Sequence, residues 1–448
     1  MTSPMRSYLA LAFLASMCAL PTPALAGASA IDTIRSGVVI DTIHAASDTS
    51  QTYALYLPSG YDRARRWPVL FLMDPRGRAL VPMRLFRAAA ERYGYVVMSS
   101  YQTQSDGAIE PNDKAVNALL DDAQSRFSVD VHRFYFAGFS GTGRLAWNYA
   151  YSIPDNVAGL IEVGAGLPYP QLLLEKNLAK DSTPFAVFLS VGTTDFNYEE
   201  VQALNAKLDA FAIRHHLETF DGPHSWPPES ICSSAITWLQ LQAMRTGRLP
   251  VSRNWIDSVY TITAASIDLI ARTDPYAASL LYRQAATDFA GLHDASVFVA
   301  AATTLAERDI VKRTAKRVSQ LATESQHALE REDTFFADFS RADKTPAIDR
   351  LRSALNLDEL TNRARQSADT LGALAARREL SSIFVRASFY EPRRYLAQAD
   401  TLKALTLYAL AQSIQPDNGQ LCAERNQVYR SYTIRKSVSP QLGCDRTQ

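Results

Sequence analysis

The sequence predicts an α/β fold with a doubly wound, mostly parallel sheet, followed by an all-helical C-terminal domain. Up to about residue 246, short β-rich runs alternate with helical stretches, and most of these runs are continuously apolar. Continuous apolar runs are typical of strands covered on both faces, and strand–helix alternation indicates parallel strands between layers of helices. Beyond residue 255 strand-like runs almost vanish, while Ala, Leu, Arg and Gln recur at helical spacing.

Eight runs are predicted to be strands. The first two, 37–43 and 52–58, follow each other directly and indicate an antiparallel start. The later runs are WPVLFLM (67–73), YVVMSS (95–100), RFYFAG (133–138), VAGLIEVG (157–164), FAVFLSVG (185–192) and LETF (217–220). Helices are predicted between them, for example over 111–127 and 198–216.

The chain has 448 residues, which is too long for one ordinary core. We therefore predict two domains, the α/β domain over 27–248 and the helical domain over 249–448. One stretch of the helical domain resembles a single tetratricopeptide unit, on the spacing of Tyr395, Ala404, Tyr408, Ala411 and Pro416. One repeat length before Pro416 stands Ser382 instead of a second proline, and an array needs several repeats to bury a core. The sequence thus indicates at most one recognisable repeat.

The N-terminus is predicted to be a secretory signal peptide, residues 1–26. A single basic residue precedes the apolar run SYLALAFLASMCAL, and PTPALA ends in an Ala-x-Ala cleavage pattern at Ala26. The run is shorter than the roughly 20 residues that cross a bilayer, so an uncleaved anchor is the weaker interpretation. We expect a periplasmic or secreted protein, and no later segment is apolar enough to be transmembrane.

Composition and cysteine spacing exclude several functions. Lys+Arg and Asp+Glu both count 46, so net charge gives no reason to expect nucleic acid or an anionic membrane as partner. No CxxC pattern or His/Cys/Asp cluster predicts a metal site, and His215-His216 lies at the end of a predicted helix. In an oxidising compartment Cys422 and Cys444 could form a disulfide, which would leave Cys232 unpaired.

The stretch HRFYFAGFSGTGRLAW (132–147) contains the candidate nucleophile, Ser140. Ser140 comes directly after an apolar strand and before a helix, where a sharp turn can lift its Oγ clear of the backbone. Gly138 and Gly141 let the neighbouring chain pass closely. Thr142 takes the last position of G-x-S-x-G, and Gly143 comes one place later. The alternative is an ordinary Ser/Gly turn.

A nucleophilic serine needs a base and a carboxylate that orients the base. Asp195 follows the strand that ends at Gly192, and His224 follows the strand that ends at Phe220, both in loops at the carboxyl ends. Asp195 could instead cap the next helix, and His224 could be a surface turn residue. Their joint placement favours a Ser140–His224–Asp195 triad.

Two further carboxyl groups are secondary candidates for the acid of the triad. Glu162 and Asp221 are fallback acids ranked below Asp195.

An oxyanion hole would combine the N–H of Gly141 with one from the loop DPRGRA, where Pro75 has no N–H and Arg76 is the next donor, before Gly77. The Arg76 and Arg78 side chains would suit an anionic substrate, or they could be solvated or pair with nearby carboxylates.

Four segments, YALYLPSGYD, RRWPVLFLMDPRGRA, AGFSGTGRLAW and FDGPHSWPPE, resemble exported α/β-hydrolases. The most similar branch is that of the polyhydroxybutyrate depolymerases and feruloyl esterases, near esterase D, over about residues 35–246. This resemblance implies an α/β-hydrolase fold with Ser140 as nucleophile, His224 as general base and acid, Asp195 as its orienter and Gly141 as an oxyanion donor. The sequence departs from the family at Thr142 and at the DPRG loop.

We therefore expect an exported serine hydrolase that cleaves a carboxylic ester through an acyl-enzyme. The substrate would be a small-molecule or polymeric ester, and no cofactor or metal is needed. Two alternatives remain open. One is a peptidase on the same fold. The other is a binding protein with a lapsed catalytic site, which would bind a protein partner through the helical domain.

Overall fold

The computed structural model describes residues 34–167, 183–366 and 368–433. The predicted signal peptide, residues 1–26, lies outside this part of the chain. The described chain contains an eight-stranded mixed sheet flanked by helices, which confirms the predicted α/β architecture. From residue 253 onward its regular elements are all helices.

The sheet has the strand order 1-2-4-3-5-6-7-8. Its strands are β1 Val39–His44, β2 Thr52–Tyr56, β3 Trp67–Met73, β4 Val96–Ser100, β5 Val129–Phe139, β6 Val157–Val163, β7 Ala186–Gly192 and β8 His215–Phe220. Strand β2 is antiparallel to β1, as the first two runs predicted, and it is also antiparallel to β4. The neighbours in the order 4-3-5-6-7-8 all pair in parallel. The carboxyl ends of β3 and β5–β8 therefore meet at one edge.

Apolar burial explains the centre of the sheet. Every residue of β3, β6 and β7 is buried, as continuous apolar runs predict. Helices cover both faces. They are α1 Leu80–Tyr93, α2 Glu110–Arg126, α3 Gly141–Ser152, α4 Tyr198–Ala210 and α5 Glu229–Arg245. Fully buried side chains such as Phe86 of α1 and Phe188 of β7 each contribute about 1.5–3 kcal/mol of burial free energy.

The helix predicted over 198–216 is wrong over its end, residues 211–216. Helix α4 ends at Ala210, and Ala212 has a left-handed φ of 53°, which stops a helix. His215 and His216 begin β8 and pair with residues of β7. The apolar spacing continued past the turn, so periodicity alone did not reveal the change of element.

The C-terminal helices form two clusters of buried side chains. The helices are α6 Arg253–Thr273, α7 Pro275–Phe289, α8 Ser296–Ala306, α9 Asp309–Arg341, α10 Ile348–Ala354, α11 Leu357–Arg365, α12 Thr370–Val385, α13 Glu391–Ala397, α14 Thr401–Ile414 and α15 Gly419–Thr433, with a π-helical turn at Arg386–Tyr390. The residues of the tetratricopeptide-like pattern from Tyr395 to Ala411 are buried in one cluster. The repeat itself stays a prediction.

The first C-terminal helices pack directly on the sheet domain. Asp288 of α7 accepts hydrogen bonds from Trp238 Nε1 of α5 (2.7 Å), and its carboxylate lies 2.8 Å from His216 Nδ1 of β8. Burial disfavours a charged His216, but Asp288 and Glu218 outweigh it and raise the pKa of His216. The two-domain division stays a prediction, with a polar contact across its proposed boundary.

The cysteines differ in environment. Cys232 is a buried free thiol, and burial raises its pKa far above the ordinary range. Cys422 is disulfide-bonded, while its predicted partner, Cys444, lies outside the described residues. Within the described ranges, no helix is both long and apolar enough to cross a membrane.

Glu332 is a buried carboxyl at the centre of the C-terminal helices. It lies on α9 with 2% of its surface exposed, and Ser382 of α12 donates to its Oε2 (2.7 Å). Arg386 is more distant, with Nη1 3.8 Å away, and Glu332 Oε1 has no partner among the described residues. Burial raises the pKa of Glu332 to about 7.

Glu332→Gln is expected to become more stable, relative to the wild type, as pH rises. The unfolded carboxyl ionises near its ordinary pKa of 4.5 and the folded one near 7, so wild-type stability falls as pH rises through this window. The loss amounts to about 3 kcal/mol, since each pKa unit is worth about 1.4 kcal/mol. Gln keeps the neutral form at every pH.

Denaturant unfolding at about pH 5 and about pH 8 measures this difference. Glu330→Gln, at an exposed position of the same helix, is the matched control and should follow the wild type. Parallel pH profiles for the wild type and Glu332→Gln would contradict the prediction.

Candidate active site

The three predicted triad residues all lie at the carboxyl edge of the sheet. Ser140 directly follows β5, Asp195 lies in the loop after β7, and His224 lies in the loop after β8. In doubly wound sheets this edge is where ligands bind, because the loops there converge from neighbouring parallel strands.

Ser140 has a strained backbone conformation. Its φ is 56° and its ψ is −131°, a combination that non-glycine residues rarely adopt and that costs about 1–3 kcal/mol. A serine held in this way between a strand and a helix presents its Oγ above the sheet edge. The turn requires glycine at 138, because a Cβ there would lie 2.3 Å from the Thr142 carbonyl oxygen.

Thr142 stabilises the turn with its hydroxyl group. The side chain is fully buried, and Oγ1 donates to the carbonyl oxygen of Met73 (2.6 Å) and accepts from the Phe139 N–H (3.2 Å). These bonds connect the end of β3 to the Ser140 turn. The departure from G-x-S-x-G is thus accommodated by polar contacts that a glycine could not make.

Asp195 and His224 form a hydrogen-bonded pair. The Nδ1 of His224 lies 2.8 Å from each carboxylate oxygen of Asp195, which is 1% exposed. The Asn197 N–H also donates to Asp195 Oδ1 (2.8 Å), which holds the carboxylate in place. Because the carboxylate can only accept, Nδ1 carries the proton and Nε2 is left as the basic nitrogen.

The His224 ring contacts two aromatic side chains. Its centroid lies 4.5 Å from that of Phe139 and 4.2 Å from that of Phe196. Phe139 directly precedes Ser140, so this contact brings the imidazole next to the strained turn. Within the described chain no hydrogen bond joins Ser140 to His224, and such bonds often tighten only when substrate is bound.

Gly164 provides the space for this pair, a role that the sequence did not reveal. Its φ is 58°, and a Cβ there would lie 2.8 Å from Asp195 Oδ2 and 3.2 Å from His224 Nδ1. The preceding carbonyl, that of Val163, accepts the Ser140 N–H (2.8 Å). The end of β6 therefore contacts all three predicted triad residues. A glycine that ends a buried strand was the only signal in the sequence.

The predicted oxyanion donors differ in their environment. Gly141 is the first residue of α3, a position whose N–H has no acceptor within the helix. The Arg76 N–H donates to Asp74 Oδ1 (2.9 Å), so it already has an acceptor within its own loop. Arg76 as second oxyanion donor stays a prediction.

Asp74 organises the loop after β3. Burial favours its neutral form, but hydrogen bonds from Arg78, Trp226 and backbone N–H groups outweigh this and lower the pKa of Asp74. Trp226 Nε1 donates to Asp74 Oδ2 (2.9 Å), which links the histidine loop to the predicted oxyanion loop. The Arg78 side chain therefore forms an ion pair within its own loop, with its Nη2 lying 3.0 Å from Asp74 Oδ2.

The fallback acids are placed elsewhere. Glu162 is fully buried in β6 and accepts a hydrogen bond from Trp147 Nε1 (2.6 Å), and burial raises its pKa well above the ordinary range. Asp221 lies on the exposed side of its loop, where it accepts from Thr193 Oγ1 (3.3 Å). Neither carboxyl has a hydrogen bond to His224 in the described chain.

No group of three or more His, Cys, Asp or Glu side chains that could hold a metal ion occurs within residues 34–167, 183–366 and 368–433. The chemistry that the described geometry offers is proton transfer. An imidazole that is hydrogen-bonded to a buried carboxylate and a strained serine at the N-terminus of a helix lie at the same edge of the sheet.

The sequence matches no protein-family model and no curated protein. Solved structures similar to part of the chain include serine hydrolases and esterases. The fluorophosphonate-binding serine hydrolase FphF of Staphylococcus aureus is 18% identical, with 46% of this chain and 98% of FphF covered and a TM-score of 0.39. A ferulic acid esterase is 18% identical, with coverages of 47% and 98% and a TM-score of 0.36.

A variant of the feruloyl esterase module from Clostridium thermocellum, in complex with sinapinate, is 15% identical. The match covers 45% of this chain and 87% of the esterase module's chain, with a TM-score of 0.36. All three matches span less than half of this chain, and similarity at this level carries no information about substrate.

Gly164→Ala is expected to separate His224 from Asp195, because the new methyl group would overlap both side chains. Gly247→Ala is the matched control. Its φ is 73°, and a Cβ there would meet nothing within 4 Å. Both variants lose roughly 1–2 kcal/mol of stability through left-handed strain on Ala.

Proton NMR of the imidazole Nδ1–H distinguishes the two variants. The hydrogen-bonded signal of His224 should disappear or shift in Gly164→Ala and persist in Gly247→Ala. An unchanged signal in Gly164→Ala would show that the pair does not depend on the space left by this glycine.

Proposed function

We propose that this protein is a serine hydrolase that cleaves a carboxylic ester through an acyl-enzyme. The observation that carries the proposal is the strained Ser140 turn beside the formed Asp195–His224 pair. Strain of this kind persists only where the surroundings enforce it, and here Gly138, Thr142 and the end of β6 do so.

In the first half-reaction Ser140 Oγ attacks the ester carbonyl carbon and transfers its proton to His224 Nε2. The tetrahedral intermediate carries negative charge on the former carbonyl oxygen. Its collapse breaks the bond to the alkoxy oxygen, which takes the proton from His224 and leaves as the alcohol. Asp195 stays ionised and stabilises the imidazolium through Nδ1.

In the second half-reaction water attacks the acyl-enzyme. His224 Nε2 accepts a proton from the water, and the new tetrahedral intermediate collapses with release of the acid. The proton returns from His224 to Ser140 Oγ. The same groups thus serve both steps, and no atom is gained or lost by the protein over one turnover.

The oxyanion would be stabilised at the start of α3. The Gly141 N–H lies at the N-terminus of a 12-residue helix, where the helix dipole favours negative charge. A Cβ on Gly141 would lie 2.5 Å from Ser105 Cβ, so the loop after β4 packs closely against this position. Arg76 would be a second donor if its N–H is shared between Asp74 and the substrate.

The finer parts of the proposal rest on the sequence. The motifs around Ser140 and His224 support the polyhydroxybutyrate-depolymerase and feruloyl-esterase-like branch, with a small-molecule or polymeric ester as substrate. The pattern of residues 1–26 supports export to the periplasm or the medium. The disulfide at Cys422 supports an oxidising compartment. We also keep the division into domains at residues 27–248 and 249–448 as part of this proposal.

Ser140→Ala is expected to lower kcat for short aryl esters by about 10⁴- to 10⁶-fold, because the nucleophile and base act as one unit. Steady-state hydrolysis by the mature protein measures this effect. Ser152→Ala, at the other end of helix α3, is the matched control and should keep wild-type kcat.

The substrate panel should contain aryl esters and peptides. Turnover of esters that depends on Ser140 supports the proposal. Turnover of peptides alone would replace it with a peptidase. A folded wild type without hydrolysis of either class would contradict catalysis and favour a binding protein.

A further inference from the structure

One arginine of the C-terminal helices contacts the loop that carries Asp195. Arg378 lies on α12, and its side chain is 13% exposed. Its Nη1 donates to the Thr193 carbonyl oxygen (3.2 Å), its Nε lies 3.3 Å from Glu199 Oε1, and its guanidinium carbon lies 4.2 Å above the Tyr198 ring. All three contacts fall within residues 193–199, which we call the acid loop.

The acid loop also holds the histidine loop in place. The Thr193 N–H donates to the Phe220 carbonyl oxygen (2.8 Å), and the Thr194 N–H donates to that of Gly222 (3.0 Å). Gly192 permits this approach, because a Cβ there would lie 2.3 Å from the Gly222 carbonyl oxygen. Displacement of the acid loop would therefore move both partners of the hydrogen bond that orients the imidazole.

Arg378 contacts the acid loop on both sides of Asp195 without touching Asp195 itself. Thr193 precedes the aspartate, and Tyr198 and Glu199 begin helix α4 behind it. Asn197, between them, donates its backbone N–H to Asp195 Oδ1 and its side-chain amide to the Gly164 carbonyl oxygen (both 2.8 Å). A guanidinium suits this place because its flat, forked group can donate, form an ion pair and stack at the same time.

We propose that Arg378 is a positioning residue for the triad, through which the C-terminal helices hold Asp195 in register with His224. This inference rests on the proposed serine hydrolase function. It makes the C-terminal helical region a structural part of the catalytic centre in addition to any surface it offers to partners. The expected consequence of losing Arg378 is a loosened Asp195, with the substrate-binding surface left intact.

Arg378→Met keeps the apolar stem but removes the charge and the donors. We expect kcat for aryl esters to fall about 10- to 100-fold with KM changed by less than about threefold, as for a small misplacement of catalytic groups. Arg378→Lys keeps the charge but not the fork or the stacking, and should recover only part of the loss.

Arg386→Met is the matched control. Arg386 also forms an ion pair, with Asp333 (2.7 Å), and lies over an aromatic ring, that of Phe336 (4.3 Å). These contacts of Arg386 stay within the C-terminal helices. The control should lose stability and keep wild-type kcat, so an equal fall in kcat in both arginine variants would overturn the inference.

The double variant with Asp195→Asn tests the route of the effect. If Arg378 acts through Asp195, adding Arg378→Met to Asp195→Asn should change kcat by less than about twofold. Full additivity of the two effects would show that Arg378 acts elsewhere, and would overturn the positioning role.

Amide hydrogen exchange separates failure of this inference from failure of the proposed function. In Arg378→Met, amides of residues 193–199 should exchange at least about tenfold faster than in the wild type, while Arg386→Met should leave them unchanged. This readout needs no turnover. Unchanged exchange in Arg378→Met overturns the inference, whereas a wild type without esterase activity overturns only the proposed function.

Discussion

The hydrogen bond between Asp195 and His224 is the interaction on which the rest of the candidate site depends. It fixes the tautomer of the imidazole and so leaves a basic nitrogen on the side away from the carboxylate. Three separate strand ends enforce it. The end of β6 leaves space through Gly164, the loop after β7 supplies the acid, and the loop after β8 supplies the base. The strained turn at Ser140 follows β5. The Ser140 hydroxyl group can be activated only if this base is correctly oriented.

Side chains around the site fix the position of the imidazole and of the loops that carry the predicted triad residues. Phe139 and Phe196 contact the imidazole, and Trp226 links the histidine loop to Asp74 through a hydrogen bond. Arg378 adds a contact to Thr193 from a helix 185 positions further along the chain. Such an arrangement explains how a helical region without any predicted catalytic residue can still matter to the chemistry. Thr142 is tolerated in the Ser140 turn for a separate reason, because its hydroxyl group forms hydrogen bonds with nearby backbone groups.

Much of the sheet was predictable because its buried strands are continuous apolar runs, and their ends mark where polar loops begin. The same logic predicts Ser140, Asp195 and His224 at one edge, because each follows the carboxyl end of a strand. The roles of Gly164, Asn197 and Arg378 were not predictable, because each depends on contacts between segments far apart in sequence. The end of helix α4 was missed because apolar spacing continued through a left-handed turn at Ala212.

The central claim is that Ser140 is an activated nucleophile, and covalent labelling tests it most directly. The mature protein would be treated with a fluorophosphonate probe, digested, and mapped by mass spectrometry. The account predicts one adduct, on Ser140, and a labelling rate that collapses in His224→Gln. An adduct on another serine, or a folded protein that remains unlabelled, would contradict it.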